Sequence, residues 1–357
     1  MTHVDAWLPR NTSRYDAAMT AVTIKDVAAR AGVSPKTVSR VMNGEAHVRT
    51  AVREAVMRVV EELGYRPNAF ARGLSSSRSF LIGMFFENPS CAYAADLQRG
   101  ALRRCREFSH HLVVEELDPR RPDWRERLTD TLREVRLGGA ILVPPICDHA
   151  GVVELLHQHD VPVVRIAPGA ADGGTPRVRM DDRGAAREMT GLLLSLGHRD
   201  IAFIRGPAGH SATMQRWCGF QDAMAAAGQA IDPRRVLEGD FTFRSGLDAA
   251  ETLLGTPDLP SAVFASNDEM ALATIVEAMR RGIAVPERLS VVGFDDAEIA
   301  RMAWPQLTTI RQPNADMAAA AIDLLIAPAW QARRGEDGLC VELPYVLVRR
   351  PSVAAVA

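Results

Sequence analysis

Lys36 and Arg40 stand four residues apart in the segment VSPKTVSRVMNG (33–44). In a helix, that spacing projects both cations from one face. An arginine fork bonds guanine O6 and N7 together, and a lysine does so less rigidly. Ser34, Thr37, Ser39, Asn43 and His47 surround the pair with short polar groups. Such groups suit phosphate oxygens, which fix register on a duplex without carrying sequence information. The implied chemistry is recognition of double-stranded DNA. Catalytic signatures are missing: the chain has no G-x-S-x-G, no Walker loop and no G-x-G-x-x-G. Asp181-Asp182 and Asp295-Asp296 are adjacent carboxylates, a pattern that more often ends strands or caps helices than forms an acid–base dyad. An enzyme reading therefore has no positive support.

The elements that would hold these cations follow from local pattern. Thr23 and Asp26 form a capping pair for a first helix, whose apolar face is Ile24, Val27 and Ala28. Ala31-Gly32-Val33 makes the turn. Ser34 caps a second helix, Pro35 takes its first position, and Val38 and Val41 point inward. Val52, Ala55, Val56, Val59, Val60 and Leu63 give a third amphipathic helix that stops at Gly64. Two helices joined by a tight turn, the second with a polar and basic outer face, is how a protein presents a helix to the major groove.

Charge supports the same division. Residues 23–78 carry ten basic and five acidic side chains, a net of +5, so a whole-chain net of -2 leaves -7 for the rest. A basic head on an acidic body fits contact with phosphate at one end only. The five cysteines form no C-x-x-C pair and read as reduced thiols of a cytoplasmic protein. The nine histidines show no metal spacing, so no metal and no cofactor are expected. No run reaches the roughly 18 apolar residues of a membrane helix. Residues 1–22 lack the apolar core of a signal peptide and read as a disordered tail or a start-site artefact, Met19 lying four residues before Thr23.

From Phe80 onward, apolar strand-like runs alternate with helical ones. The strands are expected at 81–86, 112–115, 140–143, 162–166, 201–204, 262–265 and 290–293, and helices at 94–108, 183–196, 215–227, 245–254 and 269–281. That alternation implies doubly wound parallel sheets. Asn267-Asp268 and Asp295-Asp296 follow strands directly, so they fall at the carboxyl ends where open α/β sheets bind ligands. Arg216 opens a helix after a polar loop, and Asp268 reads as a helix N-cap. Arg216, Asn267 and Asp295 together offer donors, an amide and an acceptor suited to a polyhydroxyl ligand. Asn88, Ser90, Tyr93 and Asp96 follow the first strand and would form the opposing wall. Phe241 either stacks on a sugar ring or is a plain core residue.

The head segment, followed by Tyr65-Arg66-Pro67-Asn68-Ala69-Phe70-Ala71-Arg72-Gly73-Leu74, resembles the DNA-binding head and hinge of the LacI/GalR family of transcription regulators. The resemblance runs from Val22 to about Arg350. Its markers in the body are LGHRDIAFIRGP (196–207), RWCGF (216–220), FASNDEM within 264–296 and PQLTTIRQP (305–313). It implies an all-α helix-turn-helix head (23–67), a hinge helix and linker (68–79) and a two-lobed core like that of periplasmic sugar-binding proteins. The lobes would be 80–179 with 309–338, and 180–308 with 339–357. It implies base contact at the position held by Pro35, which has no donor, so specificity would rest more on Lys36 and Arg40. Asn68, Arg72 and Leu74 would belong to a hinge helix, too short to be stable alone, that orders on DNA and wedges Leu74 into the minor groove. The family's effector contacts carry over to Arg216, Asn267 and Asp295.

One departure leaves the effector open. Glu87-Asn88-Pro89-Ser90-Cys91-Ala92-Tyr93 replaces a run that usually ends in paired phenylalanines. The expectation is a homodimeric repressor of a palindromic operator, controlled by a small molecule, a sugar or sugar derivative. A purine-type corepressor and a solute-binding protein of the same core are the alternatives.

Overall fold

The computed structural model describes residues 22–42, 47–65, 79–88, 91–169, 174–326 and 339–356. The chain divides into two units, residues 1–77 and 78–357.

The first unit contains α1 (Ile24–Ala31), α2 (Pro35–Met42) and α3 (Thr50–Glu62). The carboxylate of Asp26 accepts from both the Thr23 N–H and the Thr23 hydroxyl, each at 2.7 Å. These bonds hold Asp26 below the usual carboxylate range. Gly32 ends α1 at φ 66°, a left-handed angle that glycine adopts without penalty. Ser34 Oγ accepts from the Thr37 N–H at 3.2 Å and caps α2. Val27, Ala28, Val38, Val41, Val56, Val59 and Val60 close the small core. With so few side chains, each buried valine matters, at about 1.5–3 kcal/mol of burial free energy apiece.

The second unit has two parallel sheets. The first uses β1 (Leu81–Phe86), β2 (His111–Glu116), β3 (Gly139–Leu142), β4 (Val163–Ile166), β5 (Arg177–Arg179) and a late strand, β11 (Cys340–Glu342), in the order β11-β5-β4-β3-β1-β2. Side chains alternate across β1. Ile82, Met84 and Phe86 face a core shared with α4 (Ala92–Glu107) and α12 (Asn314–Ile326). Phe85 faces α5 (Trp124–Glu134) and α6 (Ala150–Gln158). Gly100 lets α4 press on α12, since a Cβ there would overlap the Ala315 carbonyl.

The second sheet uses β6 (Ile201–Ile204), β7 (Val236–Leu237), β8 (Ala262–Ala265) and β9 (Ser290–Val292), in the order β7-β6-β8-β9. Phe203, Phe220, Phe264 and Phe294 fill one face with α7 (Asp182–Ser195) and α8 (Ser211–Ala226). On the other face, Ile204, Val263, Met270 and Ile275 pack with α9 (Phe243–Leu254) and α10 (Asp268–Arg280). A short α11 (Glu298–Met302) follows β9.

The return segment differs from the expected division. Strand β10 (Thr309–Arg311) pairs antiparallel with β12 (Val346–Val348) and runs beside the end of β9, so residues 309–311 belong with the second lobe. Strand β11 pairs with β5, so residues 340–342 extend the first lobe's sheet and not the second. The physical reason is edge pairing: β5 leaves an open edge that only a strand distant in sequence can cover.

Candidate functional site

On the first unit, α2 carries the cationic face. Pro35, Lys36 and Arg40 are exposed, while Val38 and Val41 are buried beneath them. Ser34 is exposed and its hydroxyl lies 2.9 Å from that of Thr37; Thr37 and Ser39 are half-buried. His47 is exposed in the turn that leads to α3. Asn43, Asn68, Arg72 and Leu74 lie outside the described residues, as does Ser90 of the proposed cleft wall.

In the second unit, the cluster foreseen between the lobes assembles around Arg216, with more of it internally engaged than expected. Arg216 sits in the second turn of α8 and does not open the helix. Its Nε donates to Asp182 Oδ1 at 2.9 Å and its Nη1 to the Ser266 carbonyl at 2.6 Å. Asp295 Oδ1 lies 3.8 Å from Nη1. The guanidinium packs 3.6 Å from the centre of the Phe294 ring. Asp295 accepts from Gln312 Nε2 at 2.5 Å. Burial pushes the Asp295 carboxyl up to about 6, with Arg216 and the Gln312 bond pulling the other way.

Asn267, not Asp268, caps α10: its Oδ1 accepts from the Met270 N–H at 3.0 Å, and its Nδ2 donates to the Phe241 carbonyl at 2.8 Å. The helix begins one residue earlier than a cap at Asp268 requires. Asp268 instead accepts from the Ala297 N–H and the Thr309 hydroxyl, at 2.8 and 2.6 Å, and fixes the loop that carries Asp295. Asp296 is buried between Arg311 and Arg350, at 2.7 and 2.6 Å. Neither carboxylate pair is an acid–base dyad, since Asp181 caps α7 by accepting from the Gly184 N–H.

Phe241, Asp295 and Asp296 all have positive φ, at 69°, 121° and 55°. Strain of this kind gathers at sites where side-chain placement outweighs local comfort. The Phe241 ring meets the His210 ring edge-on at 5.2 Å. In the other lobe, Cys91 precedes α4 and Tyr93 lies in its first turn, both packed against that lobe's core. Burial lifts the Tyr93 hydroxyl well above its usual value, and Cys147, Asp182 and Asp295 reinforce this against Arg216. Burial likewise raises the Cys91 thiol, with Asp295 and Glu269 adding to it. Asn88 is exposed before α4, and its carbonyl accepts from the Cys91 thiol at 3.4 Å.

Sequence reasoning missed Asp182, Gln312 and His210 as members of this cluster. Asp182 had been noted only as half of a carboxylate pair. Beside the cluster opens a cavity of about 490 Å³, walled by both lobes, with Cys147, Asp148 and Arg165 on one side and Arg205, His210 and Thr213 on the other. The lobes touch here, where Ser211 Oγ donates to the Ala167 carbonyl at 3.1 Å.

A helix-turn-helix unit together with a two-lobed parallel α/β core is the architecture of a DNA-binding regulator. Comparison with known proteins agrees. Residues 23–68 match the model of bacterial regulatory proteins of the lacI family, and residues 190–353 match that of the periplasmic binding protein-like domain. The chain is 34% identical to the catabolite control protein A of Priestia megaterium, over 93% of this chain and 99% of that protein. It is 35% identical to the ribose operon repressor of Escherichia coli K12, over 92% and 99%. Among solved structures, it resembles the lac repressor dimer bound to operator and the anti-inducer ONPF, with a TM-score of 0.77 and 27% identity over 94% of this chain and 99% of that one. It also resembles a complex of the transcriptional regulator CelR with cellobiose, with a TM-score of 0.68 and 32% identity over 93% and 99%. The chain belongs to the LacI family. It is a DNA-binding transcriptional regulator and not an enzyme. No described helix is long and apolar enough to cross a membrane.

Proposed function

We propose that this protein is a cytoplasmic homodimeric repressor that binds a near-palindromic operator and is controlled by a carbohydrate-type effector in the cleft between its lobes. The observation that carries this reading is the pairing, in one chain, of an exposed Lys36–Arg40 face with a strained, buried polar cluster at strand ends. Lys36 and Arg40 read bases, and Ser34, Thr37, Ser39, Asn43 and His47 hold phosphates. Pro35 adds apolar contact. Asn68, Arg72 and Leu74 form the hinge that enters the minor groove. Tyr93, Arg216, Asn267 and Asp295 bond the effector's hydroxyls, Phe241 offers a ring face, and Asn88 stands at the rim.

A dimer is supported by apolar surface on two helices that pack together. Met279 on α10 is 64% exposed, Met302 on α11 is 70% exposed, and Trp304 just beyond is 83% exposed. Large apolar side chains left this exposed on neighbouring elements suit an interaction surface. A second copy fits, because two-fold proteins match two-fold operators. Effector binding changes the angle between lobes, and with it the spacing of the paired hinges. Effector and operator affinities are then coupled reciprocally.

The test is selection of binding sites from random duplexes, followed by operator titration with and without a panel of sugars, sugar acids, sugar phosphates and purines. A two-fold motif whose affinity falls with one sugar-type ligand supports the proposal. A purine that raises operator affinity would replace the inducer reading with a corepressor one. Absence of any selected motif would refute it.

A further inference from the structure

We propose that the cavity at the start of α8 is a subsite for an anionic group, so that the effector of this core is an acidic sugar derivative, a sugar carboxylate or a sugar phosphate. This rests on the reading that the core binds a sugar-type effector, and it adds the charge class.

Two independent observations point to a ligand there. The first is the open end of α8. This helix runs for 16 residues, has no acid in its first turn, and its N-cap residue, His210, makes no side-chain bond to it. The opening amides of a helix and its dipole favour an anion. The second is a set of buried polar atoms with nothing to bond. Among the described residues, Thr213 Oγ1, His210 Nδ1 and Arg205 Nε are buried without a hydrogen-bond partner, and all three residues line this one cavity. Thr213 is only 2% exposed and lies in the first turn of α8, beside the open amides. Native proteins rarely leave such atoms unmatched, and a group that recurs at one place marks a bound partner.

The sign of the charge follows from the walls. Arg205 and Arg165 both line the cavity, against the single carboxylate of Asp148. One oxygen of Asp148 already accepts from the Gly169 N–H at 2.8 Å. Arg205 keeps its Nη1 on the exposed Glu238 at 3.0 Å, while its buried Nε–H has no partner. The Arg205 N–H and the α8 amides are donors, and the Thr213 hydroxyl can be one. A neutral polyol needs acceptors in equal measure, and those lie next door at Asp295 and Asn267. The division of labour is therefore hydroxyls to the Arg216–Asp295 cluster and the acidic group to α8. His210 stays neutral in the unliganded protein, since burial and then Arg216 push it down to about 4. An anion at the subsite would draw it upward.

The test uses the full-length protein in phosphate-free buffer, with histidine labelled at the ring carbon for NMR and binding heats measured in parallel. The probes are inorganic phosphate alone, and the matched pairs glucose with glucuronate, galactose with galacturonate, and glucose with glucose 6-phosphate. Phosphate alone should shift the His210 resonance saturably at millimolar concentration, and at least one acidic sugar should bind about tenfold or more tighter than its neutral partner. Thr213→Val and Arg205→Gln should each weaken the acidic probe about fivefold or more and leave the neutral sugar unchanged, while Thr213→Ser restores binding. Equal affinity within every pair, no saturable shift with phosphate, or a shift indifferent to both variants overturns the subsite. If operator binding still responds to a neutral sugar in that case, the regulator reading stands and only the subsite fails. If phosphate binds but no sugar of any charge alters operator affinity, the subsite stands and the sugar-effector reading fails.

Discussion

Replacing Arg216 by alanine should destabilise the core by about 3–5 kcal/mol, the usual cost of removing one partner of a buried ion pair. The side chains of Arg216 and Asp182 are only 6% and 9% exposed, so Asp182 would keep a buried charge with no counter-ion. The Ser266 carbonyl would also lose its donor at 2.6 Å, a loss of about 1–3 kcal/mol when no water replaces it. The Phe294 ring would lose a cation at 3.6 Å, about 0.5–2 kcal/mol. These contributions share one side chain and do not add. They are also limited from above. Burial already raises the Asp182 carboxyl, and without Arg216 it would take up a proton instead of remaining charged. The assay is urea unfolding followed by far-ultraviolet circular dichroism, reading the transition of the second unit, at pH 7.5 and again near pH 5. The deficit should shrink at the lower pH, because a carboxyl whose folded pKa is raised gains stability as it protonates. The double variant Asp182→Asn with Arg216→Met should recover most of the loss, since removing both charges leaves nothing stranded. A loss below about 1 kcal/mol, or a double variant as unstable as the sum of the two singles, would refute the reasoning.

Three further outcomes are expected. Arg40→Ala should relax base preference at one position in each half-site and cost about 1–3 kcal/mol there, read by binding to a randomised operator; an unchanged preference would remove Arg40 from the base-reading set. Trp304→Glu combined with Met302→Glu should shift sedimentation toward monomer and weaken operator binding by about tenfold or more, whereas an intact dimer would move the interface elsewhere. His210 has its folded pKa depressed from 6.5 to about 4, so the stability it contributes is full above pH 6.5 and lost as pH falls toward 4. Relative to wild type, His210→Gln should therefore gain about 3 kcal/mol across that window; parallel pH profiles for the two proteins would show that His210 is not held neutral.

The parts of this molecule that were legible in the sequence are those where one local pattern decides the outcome. Strands 81–86, 201–204 and 262–265 were foreseen to the residue, because a parallel strand covered on both faces is a continuous apolar run. The return segment was not, because Cys340–Glu342 is short and half-exposed, and its place beside β5 is fixed by an open edge far away in sequence. The site divides in the same way. Strand-end position and family resemblance picked out Arg216, Asn267 and Asp295, but Asp182 comes from 34 residues away and carries no motif, and Gln312, 17 residues away, sits in the marker PQLTTIRQP without any sign in the sequence of its contact with Asp295. Choosing Asp268 over Asn267 as the cap turned on a helix start that differs by one residue, the least certain feature of any local reading. One consequence bears on specificity. The residues that a motif can identify have much of their hydrogen-bonding capacity committed to the fold: the Asn267 amide holds α10 and Phe241, and Arg216 holds Asp182 and Ser266. Groups so engaged set the shape of a cleft more than they choose its ligand. At the subsite proposed above, discrimination between ligands comes from polar atoms that only a ligand can satisfy: Thr213 Oγ1, His210 Nδ1 and Arg205 Nε, of which only Arg205 falls within a family marker, LGHRDIAFIRGP.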